Sequence, residues 1–283
     1  MNAMPPRAPR VLVFDSGLGG LTVLAEIGRS RPEAEIVYAA DDAFFPYGAL
    51  SEAALVDRVG EVVAMLLERF APDLVVIACN TASTLVLPPL RAAHPGVAFV
   101  GTVPAIKPAA SASRSGLVSV LATPGTVARD YTRALVRDFA GECDVTLVGS
   151  ARLAEIAELR LRGEAIDEGE IAREIAPCFV SRGDRRTDQI VLACTHFPLL
   201  MDLFAALAPW PVAFVDPAPA IARRVDALLG PARGAHGLQR PFPILFTSGR
   251  PPSPALRAAL LRRGLELAAT RGTGIPALSA GSD

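Results

Sequence analysis

The chain alternates short, mostly apolar runs with longer segments whose apolar residues recur every three or four positions. The apolar runs cover 11–14, 34–42 and 73–79, and short runs of this kind bounded by turn residues predict buried strands. The segments 21–32 and 51–72 lie between them and have the apolar period of a helix. Continuously apolar strands that alternate with helices are typical of a parallel sheet covered on both faces.

The same alternation repeats in the second half of the chain. A strand and turn are predicted at 116–126, strands at 144–150 and 188–197, and helices over 127–139, 151–161 and 168–182. We therefore predict an α/β protein of two pseudo-symmetric domains, each with a mainly parallel sheet flanked by helices, and a cleft between them. A helix, strand and helix after Asp216 are expected to return to the first sheet. The predicted domains are residues 1–105 plus 215–283, and residues 106–214.

Composition narrows the class of protein. Of 283 residues, 51% are apolar and the net charge is −1, so a sizeable core is available and no basic surface suggests nucleic acid. We find no apolar run long enough for a transmembrane helix, and no apolar segment behind the basic N-terminus that would make a signal peptide. A cytoplasmic protein without a nucleic-acid or membrane partner is expected.

The four cysteines lack the spacing of a structural metal site. Cys79, Cys143, Cys178 and Cys194 form no C-x-x-C pair, which argues against zinc, and a chain of this size without an export signal argues against disulfides. Cys79 and Cys194 differ from the other two because each ends a predicted strand and is followed by small polar residues, as CNT and CTH. We interpret Cys143 and Cys178 as structural or exposed thiols.

Four residues at predicted strand ends indicate one site. In open parallel sheets, ligands bind beyond the carboxyl ends of the strands, where Asp15, Cys79, Thr123 and Cys194 are expected. If the two domains face each other, both thiols line one cleft from opposite sides. Such a pair can remove a proton from one face of a carbon and return one to the other face. Either cysteine alone could instead be an inert buried thiol, since free cysteine is among the most buried residue types.

Two further motifs leave alternatives open. The DSGLGG segment at 15–20 is not a dinucleotide-binding turn, because Thr22 stands where G-x-G-x-x-G needs glycine. We expect its glycines to bring the backbone close to a small anion, with Ser16 and nearby N–H groups donating. Asp15 is either a buried helix cap or a cleft residue that binds a substrate ammonium or holds the proton of a thiol. The FFPYG segment at 44–48 is either a plain turn or a loop that folds over a ligand.

The sequence favours chemistry without a cofactor. Lys107 is the only lysine, and its position at the expected crossover between domains, away from the strand ends, argues against a pyridoxal phosphate Schiff base. His94 and His236 lie in proline- and glycine-rich segments and are expected to be exposed. Only His196 adjoins the predicted site, so no metal site is predicted.

Six segments, in their order and spacing, resemble a known family. FDSGLGGLTVL, PYG, VIACNTAS, VPAIKPA, VLACTHFPLL and VDPAPAIARR cover roughly residues 11–225 and resemble the cofactor-independent glutamate racemases of the aspartate/glutamate racemase superfamily. The segment GSARLAEIAELRLRGE is similar to the longer proteobacterial branch. One departure is Asp42, which stands where many relatives have a hydroxyl residue.

The resemblance implies the interconversion of L- and D-glutamate without a cofactor, which supplies D-glutamate for peptidoglycan synthesis, in a chain that is expected to form a homodimer. The implied catalytic residues are the thiols of Cys79 and Cys194, with Asp15, His196 and Glu158 as assisting groups. Helix register leaves Glu155 open as the alternative to Glu158. The implied substrate contacts are Asp15, Ser16, Pro46, Tyr47, Gly48, Asn80, Thr81, Thr123, Thr195 and His196.

Three other hypotheses remain open. The same fold could racemise another amino acid such as aspartate, or the chain could be a non-catalytic protein that binds an amino acid or a partner protein. Cys194 and His196 could also form the nucleophile and base of a thiol hydrolase. We disfavour the hydrolase because neighbouring residues at a strand end are expected to point apart.

Overall fold

Strands and helices alternate along most of the described part of the chain. The computed structural model describes residues 7–232 and 241–268. The first elements are β1 (Arg10–Asp15), α1 (Leu21–Ser30), β2 (Glu35–Ala40), α2 (Glu52–Phe70), β3 (Leu74–Ile77), α3 (Asn80–Ala93) and β4 (Ala98–Gly101). The next are α4 (Ile106–Ala112), β5 (Leu117–Ala122), α5 (Pro124–Ala128), α6 (Asp130–Phe139), β6 (Asp144–Gly149), α7 (Leu153–Leu161), α8 (Glu168–Ile175), β7 (Ser181–Arg182), β8 (Arg185–Arg186), β9 (Gln189–Ala193), α9 (Met201–Leu207) and β10 (Ala213–Val215). The remaining elements are α10 (Ala218–Leu229), β11 (Phe242–Phe246), α11 (Pro254–Arg262) and β12 (Leu265–Leu267).

Two parallel sheets organise these elements. The first has the strand order β12-β11-β2-β1-β3-β4 and the second the order β10-β9-β5-β6, and neighbouring strands within each sheet are parallel. A separate antiparallel pair is formed by β7 and β8. The predicted α/β class with parallel sheets flanked by helices is confirmed.

The central strand β1 is apolar throughout because both of its faces are buried. Val11 and Val13 pack in one core with residues of α1 and α10. Leu12 and Phe14 pack in a second core with residues of α2 and α3. Because successive side chains of a strand point to opposite faces of the sheet, neighbouring apolar residues of β1 pack in different cores. The carboxyl end of the strand is where polar residues can begin.

Some predicted boundaries differ from the structure. The single helix predicted over 127–139 is divided into α5 and α6, because Arg129 has an extended backbone (φ −77°, ψ 140°). The helix predicted over 168–182 ends at Ile175 and continues as a short 3-10 turn and β7. The short strands β4, β10 and β12 were not predicted. By contrast, α2 begins as its sequence indicates, with the Ser51 hydroxyl accepting from the Ala54 N–H.

The segment after the second sheet returns to the first one. Strand β11 pairs with β2, and β12 pairs with β11. The predicted division of the chain after residues 105 and 214 stays a prediction, and β10, which spans the second boundary, belongs to the second sheet. The glycine and proline residues at 230–243 predict a loop, and the last residues, 274–283, are expected to form a loose tail. The first segment lies partly, and the second wholly, outside the described residues. Within 7–232 and 241–268, no helix is both long and apolar enough to cross a membrane.

A buried arginine ties α10 to α1. Arg31 is 2% exposed, and its guanidinium donates to Glu33 Oε1 at 2.8 Å, to Asp226 Oδ1 at 2.9 Å and to the Gly230 carbonyl at 2.5 Å. Because Asp226 and Gly230 belong to the end of α10, these contacts hold the returning segment against the first sheet. A charge at this burial is tolerated because its donors are satisfied by carboxylates and a carbonyl.

Replacing Arg31 with alanine is expected to lower the free energy of unfolding by about 3–5 kcal/mol, because the Glu33 carboxylate is left buried without its partner. Chemical denaturation of the wild-type protein and the variant measures this loss. Arg29→Ala is the matched control, since Arg29 pairs with Glu26 at the surface of the same helix and its loss should cost less than about 1 kcal/mol. Equal losses in the two variants would contradict the structural role of Arg31.

Candidate active site

The DSG and CNT motifs come together at the carboxyl edge of the first sheet. Asp15 is the last residue of β1, and the neighbouring β3 ends two residues before Cys79. Cys79 keeps an extended backbone and directly precedes α3, which agrees with the helix start that the sequence predicts directly after both Cys79 and Cys194. Its Sγ lies 3.8 Å from the Ser16 Oγ. All three side chains are buried, so the first sheet presents a thiol, a hydroxyl and a carboxyl group at one edge.

The second sheet places Thr123 and Cys194 at its own carboxyl edge. β5 ends next to Thr123, and the neighbouring β9 ends next to Cys194. The prediction of a helix directly after Cys194 is wrong, because a 3-10 turn over Phe197–Leu200 precedes α9. Pro198 has no N–H to donate the first helical hydrogen bond to the Cys194 carbonyl, and the Phe197 N–H donates to that carbonyl at 3.1 Å instead.

Cys194, His196 and Glu158 form a continuous chain of contacts. His196 Nδ1 lies 4.0 Å from the Cys194 Sγ, and His196 Nε2 lies 3.0 Å from Glu158 Oε1. The expectation that the Cys194 and His196 side chains point apart is wrong: the strand ends at Ala193, and the turn that follows brings the two side chains into contact. Glu155, the alternative to Glu158, is exposed and pairs with Arg152.

The glycine-rich turn of the first sheet packs directly against this chain of contacts. The Leu18 N–H donates to Glu158 Oε1 at 2.7 Å. A Cβ on Gly17 would lie 2.5 Å from Glu158 Oε1, and a Cβ on Gly19 would lie 2.4 Å from His196 Nδ1. Real side chains do not approach this closely. Glycine at both positions therefore permits the contact between the two sheets.

The structure changes the interpretation of this turn as a site for a small anion. The Leu18 N–H is bound to Glu158, and the Gly20 N–H donates to Asp15 Oδ2 at 2.8 Å. For these two N–H groups the prediction of an external anion is wrong, because carboxylates of the protein itself occupy them. Gly17 and Gly19 bring the backbone close to Glu158 and His196.

His196 and Glu158 stabilise each other's charges. Burial by itself lowers the pKa of His196, but its hydrogen bonds to Cys194 and Glu158 hold that pKa well above the ordinary value. Burial raises the pKa of Glu158, but the hydrogen bond and charge of His196 and the Leu18 N–H bring it below the ordinary value. The pair is therefore an imidazolium and a carboxylate at neutral pH.

Asp15 and Cys79 lie in a less compensated environment. Burial raises the pKa of Asp15 above its ordinary value, although the charge of His196 and backbone N–H groups act against this. Burial and then the charge of Asp15 raise the pKa of the Cys79 thiol to about 12, so Cys79 is a thiol at neutral pH. In the described part of the chain, Asp15 Oδ1 has no hydrogen-bond partner.

Hydroxyl groups from both sheets meet next to the CNT motif. Thr81 Oγ1 lies 3.1 Å from Thr123 Oγ1 and 3.4 Å from Thr126 Oγ1. Asn80 and Thr195 are also buried. Neither polar atom of the Asn80 side chain has a partner among residues 7–232 and 241–268. Because a buried amide without a partner is costly, Asn80 is a group that a polar ligand can satisfy.

The PYG segment is held by a buried ion pair. Tyr47 is buried and its hydroxyl donates to Asp41 Oδ2 at 2.6 Å, while the Arg58 guanidinium donates to both oxygens of Asp41 at 2.9 and 2.6 Å. Pro46 and Gly48 are exposed. The phenol of Tyr47 is therefore engaged inside the first sheet's core and is not the group that a ligand would meet. That the segment folds over a ligand stays a prediction.

The departure at Asp42 has a structural partner. Its two carboxylate oxygens accept from the Ser248 N–H at 2.9 Å and from the Ser248 hydroxyl at 2.5 Å. These bonds connect the start of the PYG segment to the end of β11. Asp42 thus takes part in fixing this edge of the first sheet.

Other residues that the sequence singled out lie away from the thiols. Cys178 is fully buried and Cys143 is half-buried, as a structural interpretation expects. Lys107 is exposed on α4, and His94 is half-buried where exposure was expected. His236 lies outside the described residues. Across 7–232 and 241–268, no three His, Cys, Asp or Glu side chains are grouped so as to hold a metal ion.

Three residues beside the site were missed by the sequence analysis. Tyr38 donates from its hydroxyl to Asp15 Oδ2 at 3.3 Å, and the ring of Phe45 lies 5.3 Å from the ring of His196. Thr126 is the third, and its position three residues after Thr123 in TPGT is a local capping pattern that could have marked it. Tyr38 lies inside an apolar strand, where no local pattern distinguishes it from a core residue.

Two thiols in different electrostatic environments result from this arrangement. Cys79 lies beside Ser16 and the charge of Asp15, and Cys194 lies beside the imidazolium of His196. A thiol is a proton donor, and its thiolate is a base and a nucleophile. Groups of this kind at the ends of strands in two sheets can exchange protons with a carbon held between them.

Comparison with known proteins identifies close relatives. The family model described as Asp/Glu/Hydantoin racemase matches residues 22–225. A glutamate racemase of Brucella anthropi is 54% identical over 258 residues, covering 91% of this chain and 93% of that protein. A glutamate racemase of Rhizobium meliloti is 55% identical over 241 residues, covering 85% of this chain and 87% of that protein.

A solved structure gives the same result. The crystal structure of Escherichia coli glutamate racemase in complex with L-glutamate and the activator UDP-MurNAc-ala has a TM-score of 0.83 and 42% sequence identity, and the match covers 93% of this chain and 97% of that chain. These comparisons agree with the family that the motifs resemble.

Replacing Gly19 with alanine is expected to destabilise the protein by about 1–3 kcal/mol, because the new Cβ overlaps His196 and forces the two sheets to shift. Chemical denaturation measures this loss. Gly60→Ala is the matched control: Gly60 lies inside α2, where a Cβ meets nothing within 4 Å, so the change should stabilise the helix by about 0.5–1 kcal/mol. A Gly19→Ala variant as stable as the wild type would contradict the close contact.

The Glu158–His196 pair is expected to make stability depend on pH. Because the His196 pKa is raised in the folded protein, its contribution is fully present below the ordinary histidine pKa of about 6.5 and is lost as the pH rises through the folded-state value. Because the Glu158 pKa is lowered, its contribution requires a pH above the ordinary glutamate value of about 4.3. The free energy of unfolding of the wild-type protein should therefore exceed that of Glu158→Gln by about 1–3 kcal/mol near pH 6, and the difference should shrink as the pH rises.

The free energies of unfolding of the two proteins, measured by denaturant from pH 5 to pH 10, check this dependence. Glu155→Gln is the control, since Glu155 lies on the exposed face of the same helix. A difference between wild type and Glu158→Gln that stays constant over this range would be inconsistent with a protonated His196.

Proposed function

We propose that this chain, which belongs to the Asp/Glu/Hydantoin racemase family and is an isomerase, interconverts L- and D-glutamate by proton transfer between Cys79 and Cys194. The observation that carries the proposal is the pair of buried thiols, each at the end of a parallel strand of a different sheet and each beside its own polar partner. Glutamate is the substrate that the names of the two relatives described above, 54% and 55% identical to this chain, indicate.

Each turnover breaks one Cα–H bond and forms another at the same carbon, and the two protons are exchanged with different sulfurs. The thiolate of one cysteine takes the Cα proton from one face of the substrate, and the thiol of the other cysteine gives its proton to the opposite face. The first cysteine ends as a thiol and the second as a thiolate, and the roles reverse for the other enantiomer. No electrons are gained or lost, so the reaction needs no oxidant or reductant.

A substrate ammonium would lower the raised pKa of the Cys79 thiol. With a pKa of about 12, this thiol loses its proton with difficulty at neutral pH, and Asp15 contributes to that difficulty. An ammonium group paired with the unpartnered Asp15 Oδ1 cancels the field of the carboxylate and favours the thiolate. Substrate binding therefore prepares Cys79 for its role.

The other half of the site has its own fixed charge. The imidazolium of His196 stabilises the negative charge on the Cys194 Sγ during proton transfer, and Glu158 orients the imidazole through its second nitrogen. The Leu18 N–H in turn holds Glu158. His196 and Glu158 thus assist Cys194, while Asp15 acts on the side of Cys79.

Glutamate carries two carboxylates that need donors. We assign them to donors at the strand ends and in the PYG segment, namely the side chains of Ser16, Asn80, Thr81, Thr123 and Thr195 and the backbone N–H groups of Tyr47 and Gly48. Pro46 has no N–H and contributes an apolar contact with the substrate. The unsatisfied amide of Asn80 supports this assignment. Preorganised donors in a buried site also stabilise the carbanion-like state that forms at Cα, for which no cofactor is invoked.

The proposed reaction also suggests how its product, D-glutamate, is used in the cell. We propose that the D-glutamate serves peptidoglycan synthesis in the cytoplasm. The Escherichia coli relative was solved with UDP-MurNAc-ala as an activator, which is in keeping with such a role for that protein. The homodimer expected from the resemblance stays a prediction.

Purified protein incubated with D-glutamate in D2O, with no added cofactor or metal, is expected to exchange the Cα hydrogen for deuterium while the circular dichroism signal of the amino acid decays to zero. Both signals follow from removal of the proton on one face and return of a solvent-derived one on the other. NMR and circular dichroism measure the two rates. Exchange with aspartate and none with glutamate would contradict the proposed substrate, and exchange with neither would contradict the racemase assignment.

Single-cysteine variants test the two-thiol mechanism in the same assay. Cys79→Ala and Cys194→Ala should each lose racemisation in both directions by a factor on the order of 10³ or more, because each direction needs both an acid and a base. Cys143→Ala is the matched control and should racemise at the wild-type rate. A variant of Cys79 or Cys194 that keeps that rate would rule out the mechanism.

A further inference from the structure

We propose that Tyr38 is a positioning residue for Asp15, and through it for the Cys79 half of the proton transfer. This inference rests on the proposed function, in which Asp15 pairs with the substrate ammonium beside Cys79. Tyr38 is fully buried on β2, in register with Val13 of β1. From there its side chain reaches the carboxyl end of the sheet, where the DSG turn begins.

The hydroxyl of Tyr38 has two acceptors at this turn. It lies 2.8 Å from the Gly17 carbonyl oxygen and 3.3 Å from Asp15 Oδ2, and shares its single hydrogen between them. The turn closes tightly over this hydroxyl, since a Cβ on Gly20 would lie 3.0 Å from it. Tyr38 therefore fixes the backbone of the turn and the carboxylate with one group.

The two oxygens of Asp15 are used unequally. Oδ2 accepts from the Gly20 N–H at 2.8 Å and from the Tyr38 hydroxyl, whereas Oδ1 has no partner in the described ranges 7–232 and 241–268. A carboxylate held through one oxygen presents the other in a fixed direction. The phenol is a lasting donor, because burial and the charge of Asp15 raise its pKa well above the ordinary value.

The position of Tyr38 predicts an asymmetric effect. Cys194 is assisted by His196 and Glu158, which the Tyr38 hydroxyl does not contact. Loss of the hydroxyl should therefore slow the proton transfer at Cys79 more than the transfer at Cys194, which it reaches only indirectly, through the Gly17–Leu18 peptide and Glu158. If the tyrosine served only to fill the core, removing its hydroxyl would change neither transfer, because the ring that packs among apolar residues of the first sheet is kept.

The test uses Tyr38→Phe, which keeps the ring and removes only the hydroxyl. The value of kcat is expected to fall by a factor on the order of 10 to 100, since a small misplacement of a catalytic group has effects of this size. The primary deuterium isotope effect should rise for the enantiomer whose proton goes to Cys79 and fall for the other enantiomer. Cys79→Ser, in which the hydroxyl is a weaker acid than the thiol, identifies that enantiomer. Isotope effects that stay at wild-type values, or change equally for both enantiomers, would overturn the proposal.

A second measurement does not depend on catalysis. The carboxyl resonance of Asp15, labelled with carbon-13 and assigned with Asp15→Asn, is titrated by NMR in the wild-type protein and in Tyr38→Phe. A phenol that donates to the carboxylate lowers its pKa, so the variant should titrate at higher pH. An unchanged titration overturns the role of Tyr38 even if glutamate is racemised, and a raised pKa supports it even if the proposed substrate is wrong.

Ser119→Ala is the control for both measurements. The Ser119 hydroxyl is also fully buried and donates to the Cys178 carbonyl at 2.7 Å, inside the second sheet's core. Loss of this hydroxyl removes one buried hydrogen bond that involves neither Cys79 nor Cys194. This variant should keep wild-type isotope effects and the wild-type titration of Asp15.

Discussion

The contact between the glycine-rich turn and the His196–Glu158 pair is the constraint on which the rest of the site depends. The Leu18 N–H donates to Glu158, and Gly17 and Gly19 allow the backbone to approach both side chains more closely than any Cβ would permit. Without this contact the carboxyl edges of the two sheets would be separate surfaces. With it, the strand ends that carry the two thiols belong to one buried region.

Burying this many ionisable groups is possible because they compensate one another. Glu158 receives a backbone N–H and an imidazolium, and His196 receives a carboxylate on one nitrogen and a thiol on the other. Charges in a low-dielectric interior are costly unless they are paired and hydrogen-bonded. Asp15 is the group with less compensation: its Oδ1 has no partner within 7–232 and 241–268, and its charge raises the pKa of the Cys79 thiol. The site thus has one satisfied half and one half that a cationic ligand group would complete.

The edges of the site are held by networks that do not contain the thiols. Asp41 joins Tyr47 of the PYG segment to Arg58 of α2. Asp42 joins the same segment to Ser248 beyond β11. Because β11 comes from the returning part of the chain, residues that are far apart in sequence determine the shape of one loop beside the thiols.

Sequence periodicity alone determined the parallel sheets and the places where strands give way to polar residues, because continuous burial of a strand requires apolar residues at every position. Asp15, Cys79, Thr123 and Cys194 were located in this way, and the local rule for helix caps located Ser51. Which of Glu155 and Glu158 contacts His196 was decided only by tertiary structure, since both lie on one helix and its rotation depends on what packs against it. The same holds for the partner of the glycines, for the approach of His196 to Cys194 and for the contacts of the Tyr38 hydroxyl. A local pattern specifies backbone conformation and which face is buried, whereas the direction of a side chain beyond a turn, and the group it meets, are set by the packing of one sheet against the other.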